Sequence, residues 1–128
     1  MENDTSSLGL PTSGRWSGYY AYSKHDVKHR MTLHLTFSGT GAIEGDGIDD
    51  IGMFHVSGVF NAATREGEWL KAYAGMHSVD YRGVYDGRSI FGMWLLGGMS
   101  GPFRIWPGEA DFGEEESVEV EEPEAALV

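Results

Sequence analysis

Cysteine is absent from the 128-residue chain, which excludes disulfides, thiolate metal sites and a cysteine nucleophile. No apolar run approaches the ~20 residues that a membrane-spanning helix needs. The opening residues, Met1 to Asp4, lack the basic start and apolar stretch of a signal peptide. The sequence therefore predicts a soluble, cytoplasmic protein of one domain with no membrane partner.

Basic residues are missing from the C-terminal part of the chain. The net charge is −11, and residues 109–128 carry nine of the 20 carboxylates with no Lys or Arg. Residues 14–108 are predicted to form the folded domain, between a flexible segment at 1–13 and an acidic disordered tail at 109–128. A nearly neutral body beside an acidic tail offers no basic face for phosphates, which excludes a nucleic-acid partner.

Apolar and polar residues alternate with a period of two along most of the domain, which is typical of half-buried β-strands. The clearest run places Met31, Leu33, Leu35 and Phe37 on one face. Turn-forming residues such as Asp86-Gly87 separate the runs. Eight strands are predicted, at about 15–23, 29–38, 42–47, 52–61, 68–74, 77–85, 89–96 and 102–107.

The number and order of these strands indicate an all-β fold. Consecutive strands with short connections pair in sequence order, which gives an antiparallel meander. No helical segment is available to cover its apolar face, and closure removes both exposed edges. We therefore predict an eight-stranded antiparallel up-and-down barrel, with a two-sheet β-sandwich as the alternative.

Gly14-Arg15-Trp16 opens the first predicted strand. It resembles the Gly-x-Trp element that begins the first strand of the calycin barrels, the lipocalins and avidins, where the tryptophan plugs one end. The resemblance implies a calycin-type barrel with a ligand cavity. Avidins carry a biotin-binding Asn two places after this Trp, and the chain has Gly18 there, so the resemblance does not extend to biotin.

Strands five and six carry polar side chains on their aromatic faces. Because Trp69 and Tyr73 alternate with Lys71, we expect that lysine to point inward with them, and the same phase applies to His77 and Tyr81. A lysine inside a barrel suits an anionic or hydrogen-bonding ligand. The predicted ligand-binding residues are Trp69, Lys71, Tyr73, His77, Tyr81 and Trp94. In the alternative interpretation this face looks outward, and Leu70, Ala72 and Ala74 form the core.

No other constellation indicates a site. Glu44, Asp46, Asp49 and Asp50 precede His55, but their spacing does not match a calcium loop and is ordinary turn chemistry. The five histidines form no metal-ligand pair, and His34 is expected on the solvated face. No nucleophile elbow, phosphate loop or dinucleotide fingerprint is present. We therefore predict no metal and no cofactor.

Strand seven is apolar on both faces, which requires a second layer of structure. Tyr19, Phe91, Met93 and Trp106 are expected on the outside, so we predict a homo-oligomer that packs through strands seven and eight.

Three functions remain open on the sequence. The favoured one is a non-enzymatic small-molecule binding module. The others are a structural or protein-interaction domain whose acidic tail contacts a basic partner, and a small barrel enzyme that uses Lys71, His77 or Tyr81 as acid or base.

Overall fold

The computed structural model describes residues 9–109, which form one closed β-barrel. Each strand pairs antiparallel with its neighbour in sequence, and β1 also pairs with β8, with Trp16 opposite Pro107. The up-and-down barrel is confirmed, and the sandwich alternative is wrong. The strands are β1 (Gly14–Tyr20), β2 (His29–Phe37), β3 (Ala42–Asp49), β4 (Met53–Asn61), β5 (Glu66–Tyr73), β6 (Ser78–Tyr85), β7 (Ile90–Leu96) and β8 (Met99–Pro107).

The barrel has two different ends. β1 begins at the end that holds Trp16, and we call this the Trp16 end. β1, β3, β5 and β7 finish at the opposite end, which we call the Lys71 end because that side chain lies near the last residues of β5. Four connections meet at the Lys71 end: residues 21–28, 50–52, 74–77 and 97–98.

Aromatic and aliphatic side chains close the Trp16 end. Trp16 is 0% exposed, and its ring lies 5.6 Å from that of Phe37, which contacts Phe60 at 6.0 Å. The indole of Trp16 donates a hydrogen bond to the Thr12 carbonyl, and Leu10 packs against the core. Residues 9–13 therefore belong to the packed barrel, although the segment 1–13 is predicted to be flexible. Residues 1–8 lie outside the described part.

A glycine inside a strand makes room for a large inward side chain. Gly58 in β4 lies directly opposite Trp69 in β5. A Cβ at Gly58 would lie 2.6 Å from the Trp69 Cβ and 2.1 Å from the Glu68 carbonyl oxygen. The closeness of the two strands at this point therefore requires glycine.

Two of the predicted strand ends differ in ways that affect the site. β1 ends at Tyr20, so Tyr22, which is predicted within strand one, lies in the 21–28 connection and is 48% exposed. β3 continues to Asp49, two residues beyond its predicted end, and the ladder pairs Asp49 with Met31. This extension carries a carboxylate to the Lys71 end.

The C-terminal acidic segment is described only at its first residue. Glu109 forms an exposed ion pair with Arg15 at 3.6 Å, and residues 110–128 of the predicted tail lie outside the described residues. Among residues 9–109, no helix has the length and apolar character that crossing a membrane requires.

Candidate functional site

Lys71 is the most unusual residue of the barrel interior. It lies between Trp69 and Tyr73 on the inner face of β5, and the residue is 1% exposed. The strand period therefore dictates its direction, as the sequence predicts, and the alternative with Leu70 in the core is wrong because Leu70 is 42% exposed. A buried lysine needs partners for its charge and for its three N–H donors.

The ammonium group of Lys71 finds one carboxylate partner. Its Nζ lies 2.5 Å from Asp49 Oδ2, 3.2 Å from the Tyr81 hydroxyl and 3.6 Å from Met31 Sδ. Four aromatic rings surround the same nitrogen with centroids 4.4–5.2 Å away, which is the distance range of cation–π contacts. These rings belong to Tyr20, Phe54, Tyr73 and Tyr81.

Asp49 is fixed from the other side by the β3–β4 connection. Its Oδ1 accepts the backbone N–H groups of Ile51 at 2.9 Å and Gly52 at 3.3 Å, which is an Asx-type turn. Its Oδ2 also accepts the Tyr73 hydroxyl at 2.6 Å. The carboxylate is therefore held in one position by the turn, while it faces Lys71.

A second polar group forms the rim of the Lys71 end. Asp50 Oδ1 accepts the Tyr20 hydroxyl at 2.8 Å, and its Oδ2 lies 2.6 Å from His29 Nδ1. The Tyr20 and His29 rings stack at 4.7 Å with an interplanar angle of 15°. The half-exposed ring of Tyr22 stands perpendicular to His29 at 5.4 Å and to Trp94 at 5.6 Å. Aromatic side chains thus line the rim of the Lys71 end.

Burial shifts the acid–base properties of this cluster. Burial lowers the pKa of Lys71 below its usual range, although the adjacent Asp49 charge opposes that shift. Burial, followed by the neighbouring aspartates, raises the pKa of Tyr20, Tyr73 and Tyr81. These phenols therefore remain neutral hydrogen-bond donors over the whole physiological pH range.

The pKa of Asp50 moves in the opposite direction. Burial would raise it, but hydrogen bonds from His29 and Tyr20 outweigh that effect and lower it. Asp50 is therefore a carboxylate at neutral pH and adds a second negative charge to the Lys71 end.

Two buried donors in the barrel interior have no acceptor within residues 9–109. The Tyr81 oxygen receives a hydrogen bond from Lys71, but its own hydrogen has no partner there. The indole N–H of Trp69 also has none, although the other two buried indoles, Trp16 and Trp94, each donate to a backbone carbonyl. Trp69 and Tyr81 are 6% and 2% exposed, and their rings stack at 5.7 Å.

The structure brings five of the six predicted ligand-binding residues into the interior. Lys71 contacts Tyr73 and Tyr81, and Tyr81 stacks on Trp69. Trp94 is also buried and donates to the Ala21 carbonyl at 2.8 Å.

The prediction that His77 lies on strand six and points inward is wrong, because β6 begins one residue later, at Ser78. It is exposed in the β5–β6 turn, where its backbone carbonyl accepts the Tyr73 N–H and closes the hairpin. The two rings are 5.1 Å apart, so His77 lies at the rim rather than inside.

The four acidic residues that are close in sequence, Glu44, Asp46, Asp49 and Asp50, do not form one cluster in the structure. Glu44 points outward and pairs with His55 at 3.3 Å, whereas Asp49 points inward. Within the described part of the chain, no group of three His, Asp or Glu side chains is arranged to hold a metal ion. His34 is exposed, as expected.

Sequence reasoning missed Asp49, Asp50, Tyr20 and His29 as members of the site. The available signal is the alternation of β3, because Ile43, Gly45 and Gly47 share a phase with Asp49. An inward lysine also requires a buried carboxylate. Asp49 becomes that carboxylate when strand three is extended by two residues beyond its predicted end.

Comparisons of the chain with protein-family models, curated proteins and solved structures return no match. The fold and the site define a closed antiparallel barrel with an ionised, aromatic-lined end. Its likeness to the calycins consists of the eight-stranded barrel and the position of Trp16, which is buried near one end.

Proposed function

We propose that the protein is a small-molecule binding module whose ligand contacts Lys71, Tyr81 and Trp69 from the Lys71 end of the barrel. The observation that carries this proposal is the Tyr81 hydroxyl, which is buried against a buried ammonium and has no acceptor for its hydrogen within residues 9–109. A ligand oxygen would supply that acceptor.

The energetics of the ion pair support this interpretation. Replacement of a buried ion pair by well-packed apolar side chains is often neutral or stabilising by about 1–4 kcal/mol. The Lys71–Asp49 pair is therefore not the arrangement that stability alone favours in an otherwise apolar barrel. Buried charges with shifted pKa values are concentrated at functional sites, which is consistent with a binding role.

The entrance proposed for the ligand is the rim beneath the 21–28 connection. Tyr22 belongs to this connection and covers Trp94 and His29 with one exposed ring. The connection is anchored at its start, where the Ala21 carbonyl accepts the Trp94 indole. Movement of the segment after Ala21 would uncover the rim without breaking the barrel ladders.

Native mass spectrometry of the protein purified from cells tests the proposal. We expect an additional, reproducible mass under gentle conditions that disappears on denaturation. The Tyr81→Phe variant should carry less of that mass because it lacks the donor. Tyr85→Phe is the matched control, since Tyr85 lies at the opposite end and its hydroxyl donates to the Gly87 carbonyl.

Two results would overturn the binding proposal. The first is a protein that carries no additional mass in any preparation from its own cells. The second is a bound mass that Tyr81→Phe and Tyr85→Phe reduce equally, because the ligand would then not be located at the Lys71 end.

A packed structural or protein-interaction domain is the second candidate. The Lys71 ammonium is already enclosed by Asp49, Tyr81 and Met31, which favours a self-sufficient core. In this case the acidic 109–128 segment would carry the interaction. Deletion of that segment should abolish binding to a basic partner in a pull-down, whereas retention of binding would contradict the candidate.

Self-association through β7 and β8 is a separate proposal. Met93 and Leu95 point outward from β7 and are 43% and 38% exposed, while Phe91 is partly covered by Arg104 at 4.7 Å. A second copy packed on this face would bury the two exposed side chains. Light scattering on Met93→Lys should show a smaller particle than the unmodified protein, and a monomer in both samples would refute the proposal.

A further inference from the structure

The chemistry of the unsatisfied groups defines what the Lys71 end lacks. Tyr81 and Trp69 both present N–H or O–H donors without an acceptor in the described chain. One Lys71 N–H is directed to Met31 Sδ at 3.6 Å, and a thioether is a weak acceptor. The missing partner of each donor is therefore a hydrogen-bond acceptor, and oxygen is an acceptor that suits N–H and O–H donors alike.

The charges near these donors determine whether that oxygen can belong to an anion. The Lys71 charge is already balanced by Asp49 at 2.5 Å. Asp50 adds another carboxylate at the rim, where His29 and Tyr20 hold it ionised. A ligand carboxylate would have to share the one buried ammonium with the buried Asp49, where like charges repel strongly. Asp50, whose side chain is half-exposed at the rim, adds a weaker repulsion.

The side chains around these donors are aromatic, which favours a ligand with a flat, apolar body. Tyr81 stacks on Trp69 and contacts Phe103 at 4.9 Å, so the donors are set among aromatic rings. Aromatic rings bind other rings through offset or edge contacts. A ligand with a ring and one polar atom would match both the aromatic neighbours and the donors.

We infer that the ligand is a neutral ring compound with a carbonyl-type oxygen acceptor, and that the site rejects the corresponding carboxylate. This inference rests on the proposed binding function and adds the ligand class to it. The oxygen accepts from Tyr81, with Trp69 and Lys71 as neighbouring donors, and no covalent step is involved.

Titration of the ¹⁵N-tryptophan-labelled full chain with benzamide, benzoate and toluene tests the inference by NMR. The three probes share a phenyl ring and differ in the acceptor and the charge. Benzamide should shift the Trp69 indole N–H signal saturably, while the indoles of Trp16 and Trp94, which already have acceptors, should move less. Benzoate should bind at least ~10-fold more weakly, the factor that 1.4 kcal/mol gives.

The variants assign the effect to the phenol. Tyr81→Phe should weaken benzamide binding several-fold and leave toluene binding unchanged, since it removes one donor and keeps the ring. Tyr85→Phe, at the opposite end, should leave both unchanged. A folded Tyr81→Phe protein with unaltered benzamide affinity would overturn the inference.

The results for the probes separate this inference from the proposed function. If benzoate or toluene shifts Trp69 as strongly as benzamide, the ligand class is wrong and the binding site remains. If no probe shifts the Trp69 signal while native mass spectrometry shows a bound molecule, the inferred ligand class is wrong but the proposed binding function stands. If neither experiment shows a ligand, both proposals fail.

Discussion

Removal of the Lys71 charge should destabilise the barrel far more than removal of an exposed lysine charge. At 2.5 Å from Asp49 and an effective dielectric constant of ~20, the attraction is about 6–7 kcal/mol before the cost of burial is subtracted. Loss of one partner of a buried pair costs about 3–5 kcal/mol because the other charge is left without compensation. Lys71→Met should therefore lower the free energy of unfolding by about that amount.

The double variant Lys71→Met with Asp49→Asn isolates the charge effect. Asparagine keeps an oxygen for the Ile51 and Gly52 N–H groups but carries no charge. It should therefore recover at least about 2 kcal/mol relative to the single lysine variant. Lys24→Met in the exposed 21–28 connection is the control, and it should change stability by less than about 0.5 kcal/mol.

Urea unfolding followed by tryptophan fluorescence provides the measurement. If Lys71→Met does not fold alone but the double variant folds, the same conclusion holds. A loss below about 1 kcal/mol for Lys71→Met would refute the reasoning. A double variant no more stable than the single one would also refute it, because the uncompensated Asp49 charge would then not be the cause.

Three further predictions concern pH and packing. The raised pKa values of Tyr20, Tyr73 and Tyr81 stabilise the fold below about pH 10, and this contribution is lost as pH rises through the folded values. Absorbance titration at alkaline pH should therefore show these three phenols ionising together with loss of the circular dichroism signal. Their ionisation in an intact barrel would contradict the structure. The lowered pKa of Asp50 stabilises the fold above the ordinary value of 3.8, and that contribution disappears as pH falls through the folded value. The Asp50→Asn variant should therefore lose less stability between neutral and acid pH than the unmodified protein does. An unchanged dependence of stability on acid pH would count against the rim contacts of Asp50. Gly58→Ala should lower the melting temperature because the added Cβ meets the opposite strand at 2.1 Å, and an unchanged melting curve would show that β4 and β5 are further apart.

The fold follows from the sequence because its signal is local and repeated. Strict alternation in Met31, Leu33 and Leu35 marks a half-buried strand, and turn residues mark where each strand ends. The absence of any covering helical segment then leaves closure as the means of burying one face. The direction of Lys71 follows from the same period, because Trp69 and Tyr73 flank it.

The partners of Lys71 could not be read from the same local pattern. Asp49 and Lys71 are on strands that are not adjacent, since β4 lies between β3 and β5. Their contact depends on the closed barrel and on the last residue of β3, and strand ends are the least defined feature of an alternating pattern. The Tyr20–Asp50–His29 group likewise joins β1, the β3–β4 turn and β2.

A crystal structure of the protein as purified from cells tests the central claim most directly. The proposed binding function requires electron density for a non-protein molecule at the Lys71 end, with an oxygen about 3 Å from the Tyr81 hydroxyl. Density for a single water molecule at that hydroxyl, or for protein side chains alone, would contradict the binding function and leave a packed barrel with a structural ion pair.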